Sequence, residues 1–197
     1  MKKFFILAVT FFCVGGFMEL SAQSGGTNKI LVAYFSESGN TRVVAQVIQN
    51  AVGADIFEIK TVQTYPKEYN PLIVLAQKEQ RENARPALST KVSNMDSYDI
   101  IFVGYPNWWG TMPMALFTFL EQYNFAGKTV IPFCTHNGSR LGSSVNDLKR
   151  LVPKAAVPEG LAIRGGRSGS FELGSQKERD AVQKEVSAWL RRLGMVK

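Results

Sequence analysis

An alternation of two kinds of segment runs through residues 29–197 and restricts the fold class. Short, continuous apolar runs at residues 30–35, 100–103, 129–134 and 161–163 are typical of strands buried on both faces. Segments with apolar residues at helical spacing separate these runs. This order indicates a parallel sheet covered by helices on both sides. We therefore expect an α/β fold, a three-layer sandwich around five parallel strands.

The fifth strand and the helices complete the pattern. Residues 55–60 have a polar residue at every third position, which favours an edge strand. Gly53 is placed to end the helix before that strand, and the pair Arg85 and Pro86 to end the helix after it. Helices are predicted near residues 43–51, from about 70 to 85, and over 114–123, 144–151 and 176–193.

Three unusual loops follow the first, third and fourth strands. Ligands of parallel α/β sheets bind outside the carboxyl ends of the strands. Because these loops all lie at that edge, we expect residues 36–42, 104–113 and 135–139 to build a single site.

The first loop supplies short polar side chains directly before a helix. A glycine lets the backbone turn tightly and approach a ligand. The backbone N–H groups of the helix start bind anions. The loop has neither the Walker pattern nor G-x-G-x-x-G, and a plain capped turn is the alternative. Its candidate ligand residues are Ser36, Ser38, Gly39, Asn40 and Thr41.

The segment from Tyr34 to Thr41 resembles the FMN-phosphate loop of flavodoxins, whose pattern is Thr/Ser-x-Thr/Ser-Gly-Asn-Thr. In that family the loop binds a phosphate dianion with hydroxyls and backbone amides, without a cation. The resemblance implies that Ser36, Ser38, Asn40 and Thr41 are phosphate ligands here.

The second loop places two tryptophans between a proline and a glycine. Exposed indole rings are unfavourable in water unless something covers them, and a flat isoalloxazine ring would do so by stacking. The alternative is that the tryptophans are core or dimer contacts. Within residues 106–109, only Asn107 is expected to tolerate a left-handed backbone. The candidate cofactor residues are Pro106, Asn107, Trp108, Trp109 and Gly110.

The third loop offers small polar groups that could bind the pyrimidine edge of a flavin. It contains the single histidine of the chain, which is more often a structural hydrogen-bonding residue than a catalyst. The candidates are Thr135, His136, Asn137 and Gly138. No metal site is predicted.

The whole set is similar to one branch of the flavodoxin-like superfamily. The marks are the Pro-x-Trp-Trp-Gly loop after the third strand and the segments at residues 65–69 and 84–88. The resemblance covers residues 29–195 and implies FMN as the cofactor and the strand order 2-1-3-4-5. This chain departs from the electron carriers of the family, which are usually acidic and cytoplasmic, because it is basic and begins with an export signal.

The first residues have the three-part layout of a secretory signal peptide. Lys2 and Lys3 precede an uncharged run over residues 4–18, which is shorter than a membrane-spanning helix. We expect residues 1–22 to be a cleaved signal peptide, 23–28 a polar linker and 29–197 the folded domain. The protein would then be periplasmic or extracellular and without stable membrane insertion. An uncleaved anchor, a buried strand and a lipoprotein modified at Cys13 are the alternatives. Export of residues 23–197 leaves Cys134 as the sole cysteine, so no internal disulfide is expected.

The net charge of +7 suits anionic partners, but basic residues are not clustered among aromatics, so no nucleic-acid partner is expected. We expect an FMN-dependent oxidoreductase that reduces a small acceptor such as a quinone. An electron carrier that serves a redox partner protein and a binding module without redox activity are the alternatives. A homodimer is left open.

Overall fold

The structure is a computed structural model that describes residues 28–165 and 175–197. The strands are β1 (Ile30–Tyr34), β2 (Asp55–Glu58), β3 (Ile100–Pro106), β4 (Thr129–His136) and β5 (Leu161–Arg164). The helices are α1 (Asn40–Val52), α2 (Tyr69–Arg81), α3 (Met114–Glu121), α4 (Ser144–Leu151) and α5 (Gln176–Arg192), with a 3-10 turn at Met95–Ser97.

The five strands form one parallel sheet in the order β2-β1-β3-β4-β5. Both the parallel sheet and its predicted order are confirmed. The segment predicted as an edge strand is β2, at one end of the sheet. Parallel pairing directs the ends of β1, β3 and β4 to one side, so the loops after them meet there.

An apolar core lies on each face of the sheet, which confirms the three-layer sandwich. On one face α1 and α5 bury Ile48 and Trp189, and the Trp189 ring lies 5.6 Å from that of Phe102. On the other face α3 buries Leu116 and Phe119. Strands that are buried on both sides need apolar residues at consecutive positions, which is why the sequence shows continuous runs rather than alternation.

Two strands are longer than their apolar runs. The third and fourth strands were expected to end at 103 and 134, but their pairing continues to Pro106 opposite Thr135. β4 then ends at His136. Backbone pairing continues past the apolar residues because a strand's ladder does not depend on side-chain polarity. Pro106, Thr135 and His136 are therefore held on strand ends rather than on free loops.

The second helix ends earlier than expected. α2 stops at Arg81, four residues before Arg85 and Pro86. Asn83 adopts a left-handed backbone, with φ of 49°, and asparagine tolerates this conformation better than most residues. The chain has therefore left the helix before the proline is reached.

Within residues 28–165 and 175–197, no helix is long and apolar enough to cross a membrane. The expected signal peptide and most of the linker lie outside the described residues.

Candidate functional site

The three loops converge on one cleft at the carboxyl edge of the sheet. It has a volume of about 310 Å³, at the lower end of the range of small-molecule sites. The predicted residues that line it are Ser38, Asn40, Pro106, Asn107, Trp108, Trp109, Thr135, His136 and Asn137. The structure thus brings the three loops, which are distant in sequence, together around one cleft.

The remaining predicted residues do not line the cleft. They lie in the same loops: Thr41, Gly110 and Gly138 bond to residues that line the cleft, Gly39 forms the turn before α1, and Ser36 bonds to the backbone of that helix. These residues are Ser36, Gly39, Thr41, Gly110 and Gly138.

Residues that sequence reasoning missed form one wall of the cleft. Tyr69, Leu72 and Ile73 lie on α2 at spacings of three and four residues, so they share one face of that helix. This spacing is the signal that was available, but it also fits a helix packed on the core. Glu37 and Gly165 complete the lining.

The first loop delivers an open helix terminus to the cleft. Gly39 precedes α1 with φ of 89°, a conformation that favours glycine, and has no side chain with which to cap the helix. The first turn of α1 carries no acidic residue. The Ser36 hydroxyl accepts a long hydrogen bond of 3.4 Å from the Arg42 N–H. The partial positive charge of this terminus is therefore left for an anion.

Thr41 joins the first loop to the third. Its side chain is buried, and its hydroxyl lies 2.9 Å from the hydroxyl of Thr135. The two residues are 94 positions apart in sequence. This bond holds the start of α1 against the end of β4.

The two tryptophans of the second loop diverge. The Trp108 ring packs edge-on against Phe35 and Tyr65, at centroid distances of 5.6 and 5.3 Å. Trp109 is 50% exposed, and its indole N–H donates to the Ile73 carbonyl of α2 at 2.9 Å. Trp108 is thus anchored to the core, whereas Trp109 presents its ring at the mouth of the cleft.

The left-handed backbone of this loop lies at Trp109 and Gly110, and not at Asn107, which was expected to tolerate it best among residues 106–109. Trp109 and Gly110 have φ of 51° and 85°. Trp108 and Thr111 exchange two backbone hydrogen bonds around them, of 2.9 and 3.1 Å, so both central residues of the tight turn are left-handed, as in a type I′ turn. Left-handed backbone at a bulky residue is unfavourable and persists only where its surroundings impose it.

Asn107 imposes that turn through its side chain. Its amide oxygen accepts from the Gly110 N–H at 3.0 Å, and its amide nitrogen donates to the Arg140 carbonyl at 2.7 Å. Both ends of the amide are therefore engaged in bracing the second loop against the third. The residue lines the cleft, but its side chain already has protein partners.

The third loop is organised around His136. The imidazole Nδ1 accepts a hydrogen bond of 2.9 Å from the Gly138 N–H, and the His136 carbonyl accepts one of 3.0 Å from Gly165. Burial lowers the pKa of His136, and the nearby charges of Arg140 and Arg164 lower it further. The interpretation of this histidine as a hydrogen-bonding residue agrees with these contacts.

Glu37 brings an acidic group to the same cleft. Partial burial raises the pKa of its carboxyl, and Glu58 raises it further, while Arg42 acts in the opposite direction. The Glu37 carboxyl is therefore protonated more readily than that of an exposed glutamate.

The chain was compared with known proteins. A family model described as flavodoxin matches residues 29–174. A flavoprotein structure from Bacteroides eggerthii is 34% identical and has a TM-score of 0.68, covering 86% of this chain and 99% of that one. A flavoprotein from Lactobacillus acidophilus, solved in complex with FMN, is 25% identical with a TM-score of 0.62, covering 70% of this chain and 93% of that one.

A curated relative from Acidovorax ebreus is an NAD(P)H dehydrogenase (quinone). It is 29% identical over 98 residues, which are 48% of this chain and 46% of the relative. This chain therefore matches about half the length of that relative. The match to the family model extends over most of the chain and carries the conclusion: the protein belongs to the flavodoxin family.

Proposed function

We propose that the protein is an FMN-binding flavoprotein that carries out redox chemistry and reduces a small acceptor such as a quinone. The observation that carries the proposal is the cleft, which joins an uncapped helix terminus to an exposed aromatic wall. The family, the FMN complex of the Lactobacillus relative and the quinone activity of the Acidovorax relative support it.

The phosphate end of FMN fits the first loop. The N-cap residue of α1 is a glycine without a side chain, its first turn has no acidic residue, and Ser36 makes only a long bond of 3.4 Å to it. Backbone N–H groups and the Ser38 hydroxyl can therefore receive a dianion, with the buried Asn40 beside them in the cleft lining. Ser36 and Thr41 lie beside these groups in the same loop, and Gly39 permits the tight turn before α1.

The isoalloxazine ring fits the opposite end of the cleft. Tyr69 is 57% exposed and Trp109 50% exposed, which is unusual for large aromatic residues. Leu72 and Ile73 add apolar surface beside them. A planar ring lying here would cover this surface, and Thr135, His136 and Asn137 would meet its polar edge.

The protein's own contribution is binding, orientation and exclusion of water. FMN, when bound, supplies the redox chemistry by taking up and releasing electrons. The loops fix the cofactor from three strand ends, and Trp108 supports Trp109 from the core side. The acceptor would enter at the half-exposed face between Tyr69 and Trp109.

Reoxidation kinetics separate an enzyme from an electron carrier. The protein is loaded with FMN, reduced anaerobically with dithionite and mixed with a soluble benzoquinone. We expect the rate of reoxidation to saturate with quinone concentration, because the acceptor binds in the cleft. Reoxidation as slow as that of a flavodoxin shielded from small acceptors would favour the carrier. A purified protein without flavin absorption, and unable to take up FMN, would favour a binding module.

We also propose that the protein is exported. The charged start, the apolar run and the small residues Ser21 and Ala22 support cleavage after Ala22. N-terminal sequencing of protein from the envelope fraction of the native cell should begin at Gln23. Recovery of an intact chain in the cytosol would contradict export.

A further inference from the structure

His136 lies where the third loop leaves the sheet. It is the last residue of β4 and lines the cleft. In the register between β4 and β5 it stands opposite Arg164. Its backbone is fixed by the bond between its carbonyl and Gly165. The side chain is therefore presented to the cleft from a rigid strand end.

One nitrogen of the imidazole is committed to the loop. Nδ1 accepts the Gly138 N–H at 2.9 Å and so cannot carry a proton while that bond persists. Gly138 has φ of 119°, a conformation that suits glycine and aims its N–H back at the ring. In the neutral imidazole the single proton must then lie on Nε2. Nε2 has no hydrogen-bond partner among residues 28–165 and 175–197.

The charges around the ring oppose a second proton. Arg164 on β5 and Arg140 in the third loop both lower the pKa of His136. Glu37 of the first loop lines the same cleft, but it is not among the charges that shift the pKa of His136. Two nearby cations and one engaged nitrogen thus favour the uncharged ring.

We infer that the neutral imidazole of His136 is an Nε2–H donor, which binds a carbonyl oxygen of the ring seated in the cleft, and not a source of protons. Such a donor binds more strongly as the oxygen gains negative charge, and Arg140 and Arg164 act in the same direction. The site would therefore favour the reduced cofactor over the oxidised one. The inference rests on the proposed FMN binding for its ligand, but the state of the imidazole is independent of it.

The chain has one histidine, so nitrogen NMR tests the imidazole directly. The full chain is made without a polyhistidine tag, labelled with ¹⁵N-histidine and titrated without cofactor, folded and in urea. We expect a protonated Nε2 and an unprotonated Nδ1 in the neutral form, and a protonation midpoint lower in the folded chain than in urea. The opposite tautomer, or a midpoint equal to or above that in urea, would overturn the inference.

Two substitutions distinguish the roles of the two imidazole nitrogens of His136. His136→Gln places an amide N–H near the position of Nε2, whereas His136→Asn places an oxygen near Nδ1 and cannot reach the cleft. Affinities for FMN and for dithionite-reduced FMN are measured with each, after thermal unfolding has shown that both fold. The Asn variant should lose at least about tenfold more affinity for the reduced form than the Gln variant.

Quinone turnover completes the test. If His136 delivered protons, His136→Gln would lose as much turnover as His136→Asn, because glutamine cannot act as an acid, and the inference would fall. Failure of the parent chain to bind FMN would refute the proposed function instead, while the NMR titration would still decide the state of the imidazole.

Discussion

At the scale of single residues, the backbone of Gly39 is the most specific requirement of the site. Its φ of 89° costs an L-residue about 1–2 kcal/mol, and an added Cβ would meet no atom within 4 Å. Gly39→Ala should therefore strain the loop without a clash, lowering both the free energy of unfolding and the affinity for FMN. Chemical denaturation and FMN titration measure the two effects.

Gly53 is the matched control for this substitution. It is left-handed, with φ of 65°, is equally free of contacts and lies at the opposite end of α1. Gly53→Ala should lower stability by a similar amount and leave FMN affinity unchanged. Equal losses of FMN affinity in the two variants would show that the turn at Gly39 has no special role.

The buried hydroxyl pair of Thr41 and Thr135 gives a second prediction. Thr41→Val leaves the Thr135 hydroxyl buried without this partner, which should cost about 1–3 kcal/mol of unfolding free energy. Thr135→Val should cost a similar amount, and the double variant less than the sum. Additive losses in a double-mutant cycle would mean that the two hydroxyls do not interact. Sequence reasoning identified both residues as site candidates, but a bond across 94 positions is not visible in a one-dimensional pattern.

The depressed pKa of His136 gives a prediction about pH. The ordinary pKa is 6.5, and burial and two arginines lower the pKa in the folded chain. As the pH falls below about 6.5, the unfolded chain therefore binds more protons than the folded chain. The contribution of His136 to the free energy of unfolding is fully present above that pH and is lost as the pH falls towards the folded pKa. His136→Asn should flatten the acid side of the stability profile, and an unchanged profile would contradict the shift.

At the scale of elements, the second loop separates packing from binding. Trp108 contacts Phe35 and Tyr65, so Trp108→Ala should lower the unfolding free energy by roughly 2–3 kcal/mol. Trp109 is half exposed, and its replacement removes mainly the hydrogen bond to the Ile73 carbonyl. Trp109→Ala should therefore lower the unfolding free energy by about 1 kcal/mol or less. Flavin fluorescence, quenched on binding, should recover in the Trp109 variant. Equal recovery in both variants would refute this division of roles.

The limits of sequence reasoning are also clearest for elements. Apolar periodicity located every strand and helix, because burial of these faces is what the sequence encodes. It ended β3 and β4 too early, since backbone pairing through Pro106 and His136 does not depend on apolar side chains. It identified Asn107 as the residue of 106–109 that tolerates a left-handed backbone, whereas Trp109 adopts that conformation and the Asn107 amide bonds to Gly110 and Arg140.

At the scale of the whole molecule, the strand order of the sheet determines where the site lies. The order β2-β1-β3-β4-β5 brings the ends of β1, β3 and β4 side by side, so three distant loops share one cleft. This convergence followed from the sequence because parallel sheets direct their loops to one edge. The wall formed by α2 could not be predicted from the sequence, because its position depends on the long connection between β2 and β3.

The central claim is that this cleft recognises FMN through its phosphate. Parallel titrations of the cofactor-free protein with FMN and with riboflavin, followed by flavin fluorescence, test it most directly. Several hydrogen bonds to a charged group, each worth about 1.5–3 kcal/mol, predict that FMN binds at least about a hundredfold more tightly. Equal affinity for FMN and riboflavin would contradict the assignment of the first loop and, with it, the account of the site.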